Sequence, residues 1–292
     1  MTLVGLLWGT IGPTAAFLDE RTSLDALQVS WWRLAIALAP CAVLGVLAAR
    51  RTRLRLSGRT LGLVLAVALA NAGFQLAYFA AVASAGIAVP TLIALGLGPV
   101  LVAVGDTVLF ASRPDPRTLG SLAAALTGLA LLVLGGPARV TVAGVLLAVA
   151  SAAGYAAATL AAGPASRRTG TAALNAFTVA GGAVALTPVV LLTGGPGSPE
   201  NASGVAGLLY LGLVISGLAY ALYFTAARSL PSTHVVIITL LEPVAATAIA
   251  AVAFDEALTV ATVVGGLLLL SAVAALRPKA PAPDRTLGDP FQ

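Results

Sequence analysis

Glu242 and Pro243 are adjacent in the middle of a long apolar run, 234–254, and are the clearest candidates for chemistry in the sequence. A carboxylate at the centre of a bilayer span costs about 2.5 to 3.5 kcal/mol on insertion scales, so it is expected to face protein or water. Because proline lacks an amide N–H and clashes with the carbonyl four residues earlier, the carbonyl of Thr239 loses its helical partner. The pair predicts a broken helix beside a titratable group, as at many midplane transport sites. A packing kink with a neutral, hydrogen-bonded Glu242 is the alternative.

Polar and aromatic side chains recur at helical spacing in other apolar runs. In 61–83 and 205–227 they lie about one and two turns apart, so they share one face of a helix. Such a face either lines a wet cavity or joins helices through hydrogen bonds worth about 0.6 to 2 kcal/mol each, and the matched faces favour a cavity. The candidate cavity residues are Trp8, Asn71, Gln75, Tyr78, Tyr155, Ser216, Tyr220 and Tyr223. For Trp8, a role as an interfacial anchor is an equal alternative.

The composition places these residues in a membrane. Of the 292 residues, 59% are hydrophobic and 9% are charged, which is more apolar surface than a soluble core of this length can bury. The apolar runs are too long for barrel strands and do not alternate, so the predicted class is all-α integral membrane. The single cysteine, Cys41, excludes an internal disulfide and a cysteine-based metal cluster.

Ten apolar runs are candidates for transmembrane helices. They cover residues 2–18, 29–49, 61–83, 88–111, 119–134, 142–162, 172–192, 205–227, 234–254 and 260–276. Linkers rich in proline and glycine separate them, as at 112–116 and 194–199. The proline-rich tail, 277–292, is predicted to be disordered.

Basic residues predict the orientation. If the N-terminus is cytoplasmic, thirteen of the 16 Lys and Arg residues fall in the tail and in the loops after even-numbered spans, and only Arg21 and Arg139 fall on the opposite side. The positive-inside rule then places both termini in the cytoplasm of a protein of the plasma (inner) membrane. The same topology explains the net charge of +5, so the predicted partner is the lipid bilayer and not nucleic acid.

Three further titratable residues lie at the edges of spans. Asp106 shares a face with Gly98 in span four and lies about 12 Å nearer the cytoplasm at 1.5 Å per residue, so it is a candidate gate at the inner mouth. Solvation at the interface and pairing with a loop arginine are equal alternatives. Arg33, about one turn inside span two, is predicted to be structural, either snorkelling or meeting the acidic residues of the preceding loop. His234 is predicted to be a solvated residue at the start of a helix.

The chain contains an internal repeat. Tyr78-Phe79 recurs as Tyr223-Phe224, and the run 97–100 recurs as 241–244 at nearly the same separation. Each half holds five spans, an odd number, so the second half must cross the membrane in the opposite sense to the first. The predicted domains are 1–136 and 137–276, two inverted five-helix repeats, followed by a cytoplasmic tail, 277–292. Pro99 and Pro243 are the predicted helix breaks of the two halves.

Several short motifs support a family resemblance through their order and spacing. The motifs are Leu7-Trp8-Gly9, Arg33, the mid-helix Pro99 and Pro243, the run 241–244, the run 254–259 and Gly265-Gly266. Together they resemble the drug/metabolite transporter superfamily, specifically EamA-type exporters, over essentially the whole chain. The resemblance implies ten helices in two inverted repeats around a cavity formed by the first, third and fourth helices of each half. Where the family's first half usually carries a Glu, this chain reads Ala111-Ser112-Arg113-Pro114; the second half keeps one, Glu256, predicted to cap the last helix.

The sequence argues against an enzyme. It contains one histidine, no Gly-rich phosphate loop, no Ser/His/Asp set and no metal-ligand spacing, so no catalytic residue, metal or cofactor is predicted. The predicted function is secondary transport, an exporter of amphipathic small-molecule solutes such as amino acids, amines, nucleobases or drugs that works by alternating access. Without a nucleotide-binding motif, transport runs down a solute gradient or uses protons carried by Glu242. A lipid head-group flippase and a non-transporting accessory protein are the alternatives.

The charge of the solute and the oligomeric state are indicated by weaker sequence signals. The cavity stripe contains no fixed intramembrane cation, which argues against a multiply charged solute such as a sugar phosphate. Gly5 and Gly9 form a small-residue motif that is found at helix dimer interfaces. Because the chain contains 31 glycines, this motif alone does not decide whether the protein forms a homodimer.

Overall fold

The computed structural model describes residues 1–52, 57–86, 88–133, 141–253 and 258–276. Every regular element in these ranges is helical. The helices are α1 (Thr2–Gly9), α2 (Ile11–Asp19), α3 (Ala26–Thr52), α4 (Gly58–Ala85), α5 (Ala88–Phe110), α6 (Pro116–Val133), α7 (Val142–Thr169), α8 (Thr171–Leu192), α9 (Ala202–Leu209), a π-helical segment (Tyr210–Ala219), α10 (Tyr220–Ala227), α11 (Ser232–Thr239), α12 (Leu241–Ala253) and α13 (Val260–Ala275).

The helices correspond to the apolar runs of the sequence. Eight helical segments are long and apolar enough to cross a membrane, counting α9 to α10 and α11 to α12 as one segment each, and α13 is a shorter apolar helix. The first run forms two short helices that meet at Thr10. Large apolar side chains point outward, with Leu192 88% and Val252 86% exposed, as expected for a surface in contact with lipid. The chain is therefore a multi-pass helical membrane protein.

Short polar side chains and glycines explain where several helices begin and end. Ser57, Thr141 and Asn201 each accept a hydrogen bond from a backbone N–H in the first turn of α4, α7 and α9. These bonds satisfy amides that have no intrahelical partner. Gly86 and Gly170 follow α4 and α7 with φ of 74° and 79°, a backbone conformation that residues with a Cβ rarely adopt.

Glycines also let helices approach closely. At Gly9 in α1, an added Cβ would lie 2.4 Å from Ala245 Cβ and 2.8 Å from the carbonyl oxygen of Glu242 in α12. Gly128 in α6 and Gly265 in α13 face each other, and a Cβ on either would lie 2.6 Å from the other's carbonyl oxygen. In a membrane, where lipid removes the hydrophobic drive between helices, such backbone contacts supply much of the packing.

The ninth run is divided near its centre. Helix α11 ends at Thr239 and α12 starts at Leu241, with Glu242 and Pro243 in its first turn. The break predicted at Pro99 is wrong, since α5 continues through this residue. The neighbouring Gly98 lies directly against the ring of Tyr155 in α7, where a Cβ would be 2.7 Å from Cδ1. Proline removes one hydrogen bond from α5, and α5 packs closely against α7.

Candidate solute-binding cavity

A cavity of about 330 Å³ lies at the centre of the helices. Helices α1 to α5, α7, α8 and α10, the π-helical segment and the break between α11 and α12 contribute to its walls. Its volume falls in the range typical of small-molecule sites. Seven of the eight side chains predicted to line a cavity do so, namely Trp8, Asn71, Gln75, Tyr78, Tyr155, Tyr220 and Tyr223.

Aromatic rings form two groups in the wall of the cavity. The indole of Trp8 lies with its ring centre 5.2 Å from that of Tyr220 and 5.4 Å from that of Tyr223. In the second group, Phe74 and Tyr155 have ring centres 5.5 Å apart. These separations are those of favourable aromatic pairs. Trp8 is therefore part of the cavity wall and not an interfacial anchor.

Threonines fix the orientation of the tyrosine hydroxyls. The hydroxyl of Tyr78 hydrogen-bonds Thr91 Oγ1 at 2.7 Å, and that of Tyr155 hydrogen-bonds Thr239 Oγ1 at 2.9 Å. Since Thr239 is the last residue of α11, the bond from Tyr155 ties α7 to the helix break. Buried hydroxyls need such partners, so these pairs set the shape of the cavity.

Glu242 faces the cavity from the first turn of α12. Its side chain is half-buried, and in the part of the chain that the structure describes no group hydrogen-bonds its carboxylate. The positive charge of Arg33 acts on it electrostatically, and its own charge acts on the phenols of Tyr78 and Tyr155. The amino end of α12 adds a favourable partial positive charge. The carboxylate is therefore available to a proton or to a solute.

Arg33 was expected to have a structural role, either snorkelling or meeting the acidic outer loop, and the placement in this expectation is wrong. Its guanidinium lines the cavity, and Nη2 donates to Gln75 Oε1 at 2.7 Å. The expectation that the cavity lacks a fixed cation is therefore also wrong. The sequence signal was present, because an arginine inside an apolar run rarely faces lipid. Hydropathy cannot tell a residue that snorkels from one that turns inward, since that depends on how α3 is rotated.

Ser216 does not line the cavity, contrary to the prediction. It lies in the π-helical segment, where each hydrogen bond spans one more residue than in an α-helix. The wider turn changes the angle between Ser216 and Tyr220, so the two do not share a face. Asn175 of α8 donates to the carbonyl oxygens of Ser216 and Gly217 at 3.4 Å and 2.9 Å, which shows that this face packs against α8.

Asp106 is also not a lining residue of the cavity. It is 4% exposed, and its Oδ2 accepts hydrogen bonds from Thr233 N at 2.9 Å and from Thr233 Oγ1 at 2.7 Å. The residue before α11, Pro231, makes no side-chain cap of its own. Asp106 of α5 thus supplies the capping acceptor that α11 lacks. This capping role was not among the alternatives considered from the sequence.

We expect Asp106→Ala to lower the free energy of unfolding by about 1 to 3 kcal/mol, because it leaves two buried donors of Thr233 unsatisfied. Asp106→Asn keeps an acceptor oxygen and should lose less. The thermal unfolding midpoint in detergent measures both effects. Asp19→Ala, at an exposed carboxylate, is the matched control. An Asp106→Ala midpoint equal to that of Asp19→Ala would rule out the capping role.

The predictions for His234 and Glu256 have different outcomes. His234 is half-buried, and its Nδ1 is buried without a hydrogen-bond partner among the described residues, so it is not the fully solvated side chain expected. Glu256, predicted to cap the last helix, lies outside the described residues. Thr259 accepts a hydrogen bond from Thr262 N and caps α13.

The chain is similar to known proteins in sequence and in fold. Residues 142–277 match the EamA-like transporter family. The "Uncharacterized transporter YwfM" of Bacillus subtilis (strain 168) is 28% identical over 284 residues, covering 92% of each chain. An "Uncharacterized transporter" of Archaeoglobus fulgidus is 27% identical over 273 residues, covering 94% of this chain and 93% of the relative. A solved crystal structure has the same fold, with a TM-score of 0.78 at 20% identity over 94% of this chain and 95% of that one.

The fold, the central cavity and these relatives define a membrane transporter and not an enzyme. More specifically, its residues 142–277 are similar to the EamA-like transporter family.

Proposed function

We propose that this protein is a secondary exporter that moves small organic solutes across the plasma membrane by alternating access at the central cavity. The observation that carries the proposal is Glu242, which faces the cavity beside a helix break without a hydrogen-bond partner among the described residues. A carboxylate placed in this way can bind a proton in one state and release it in another. Proton antiport is therefore the proposed source of energy.

We further propose that residues 1–136 and 137–276 are inverted repeats. Under this assignment, α3 corresponds to α8 and α6 corresponds to α13, and the members of each pair pack against each other, as two-fold-related helices at an axis would. Rocking of one repeat against the other would then open the cavity to alternate sides.

The proposed orientation makes the described state outward-facing. The cavity extends between Ala15 in α2 and Ala26 and Val29 in α3, near the loop assigned to the outside. Toward the opposite end, hydrogen bonds join neighbouring helices. There Ser166 Oγ donates to the carbonyl oxygen of Phe224 at 3.0 Å, and Asp106 holds the start of α11. Opening to the cytoplasm requires that these inner contacts separate.

The orientation predicts opposite labelling of two cysteines in a Cys41→Ser background. Ser57 and Ser198 are both exposed, before α4 and before α9 respectively. Ser57→Cys should be protected from a membrane-impermeant maleimide added to intact cells, and Ser198→Cys should react. Permeabilised cells, in which both should react, are the control. The reverse pattern would invert the topology.

The proposed function is tested by solute counterflow in proteoliposomes. Purified protein is reconstituted with a mixed metabolite pool inside, and uptake of labelled amino acids, amines and nucleobases is measured against protein-free liposomes. We expect at least one labelled solute to enter in exchange for the internal pool. No exchange of any solute, together with scrambling of a fluorescent phospholipid, would replace the exporter proposal with that of a flippase.

A further inference from the structure

We propose that Arg33, with the indole N–H of Trp8, forms a subsite for a carboxylate of the transported solute, an inference that deepens the proposed function and rests on it. Two buried donors of residues that line the cavity lack hydrogen-bond partners among the described residues, Arg33 Nε and Trp8 Nε1. Both residues line the cavity, and Trp8 is 8% exposed. An unsatisfied buried donor costs about 1 to 3 kcal/mol, so it favours a ligand that supplies an acceptor.

Gln75 positions the guanidinium of Arg33. Its Oε1 accepts from Nη2 at 2.7 Å, and its own Nε2 reaches the backbone oxygen of Asn71 at 3.5 Å, which ties Arg33 to α4. A held guanidinium presents its donors in a planar fork that matches the two oxygens of a carboxylate. Gln75 is therefore a positioning residue, and Arg33 is the residue that binds the carboxylate of the solute.

The charges and rings around Arg33 restrict the solute further. Arg33 is the one cation on the cavity wall within the described ranges, which fits a single negative charge and not a polyanion. Its charge also acts on Tyr220, whose ring belongs to the aromatic wall beside Trp8. A carboxylate bound to Arg33 thus places the body of the solute against these rings. Glu242 shares the cavity, so its ionised form repels such a solute and its protonated form does not.

A different role for Arg33 is that of a fixed countercharge to Glu242, with no contact to solute. The two roles predict different selectivity. A countercharge would leave a carboxylate and its neutral amide with similar affinities. A carboxylate subsite favours the anion, and the preference depends on the guanidinium.

Isothermal titration calorimetry in neutral detergent separates these roles with matched probes. The pairs are benzoate and benzamide, 3-phenylpropionate and 3-phenylpropanamide, and hexanoate and hexanamide. In the unmodified protein we expect at least one carboxylate to bind at least about tenfold more tightly than its amide, since hydrogen bonds to charged groups are strong. Arg33→Gln should weaken that carboxylate at least about tenfold and change the amide less than about twofold.

Two further variants make the result specific. Arg33→Lys keeps the charge but loses the fork, so it should retain part of the preference, and it serves as the test if Arg33→Gln does not fold. Glu242→Gln should bind the carboxylate at least as tightly as the unmodified protein. The subsite is ruled out if no probe binds, if no pair shows a preference for the carboxylate, or if the preference survives unchanged in both Arg33 variants.

The calorimetry tests the carboxylate subsite, and the counterflow assay tests the exporter proposal, so the two proposals can fail separately. A protein that exchanges solutes without a preference for carboxylates would overturn the subsite and leave the exporter proposal in place. A protein that binds carboxylates through Arg33 but exchanges no solute would overturn the exporter proposal instead.

Discussion

Proteoliposomes containing Glu242→Gln should lose accumulation driven by a pH gradient while they retain solute exchange. Glutamine keeps the size of the side chain but cannot take up or release a proton at accessible pH. If Glu242 carries the coupled proton, the variant loses the link between the gradient and the solute and keeps the cavity and the helix break. Accumulation against the gradient should therefore fall to the level of protein-free liposomes, and counterflow should continue.

A matched control separates coupling from a general loss of charge. Glu20→Gln removes a carboxylate at the exposed end of the first pair of helices, where it does not line the cavity. It should accumulate solute like the unmodified protein. Gradient-driven accumulation that persists in Glu242→Gln would falsify proton coupling through this residue and leave the helix break as its remaining contribution.

Gly9→Ala should destabilise the protein and impair transport together. The added Cβ would lie 2.4 Å from Ala245 Cβ and 2.8 Å from the carbonyl oxygen of Glu242, and neither atom belongs to a flexible side-chain end that could move aside. Helix α12 must shift away from α1, which costs about 1 to 3 kcal/mol by analogy with overpacked cores. Because Glu242 lies in the displaced turn, exchange should decline as well as the unfolding midpoint.

Gly62→Ala is the control for this substitution. Gly62 also lies in a membrane helix, α4, but a Cβ there meets nothing within 4 Å. Alanine has the higher helix propensity, so Gly62→Ala should leave the midpoint unchanged or raise it, with normal exchange. Equal midpoints for Gly9→Ala and Gly62→Ala would show that α1 and α12 separate at little cost, and that their close approach does not position Glu242.

Local patterns in the sequence predicted the class of protein and most of the cavity. Hydropathy marks membrane segments because every apolar residue of a span contributes to insertion wherever its neighbours lie. The division of the ninth run between Thr239 and Leu241 lies where Pro243 removes the helical partner of the Thr239 carbonyl, whereas α5 continues through Pro99. The stripe of Asn71, Gln75 and Tyr78 follows from helical periodicity and needs no knowledge of other helices.

Tertiary structure decided the roles that depend on how helices rotate and pack. The sequence placed Arg33 inside a span, but only the rotation of α3 turns it toward Gln75 and the cavity. It placed Ser216 on the cavity face by assuming α-helical spacing, and the π-helical segment turned that face away. Asp106 caps α11 across more than a hundred residues of chain, because two helices meet there and each satisfies the other's polar groups. Contacts of this kind leave no periodic trace in the sequence, since each is set by a partner on another helix.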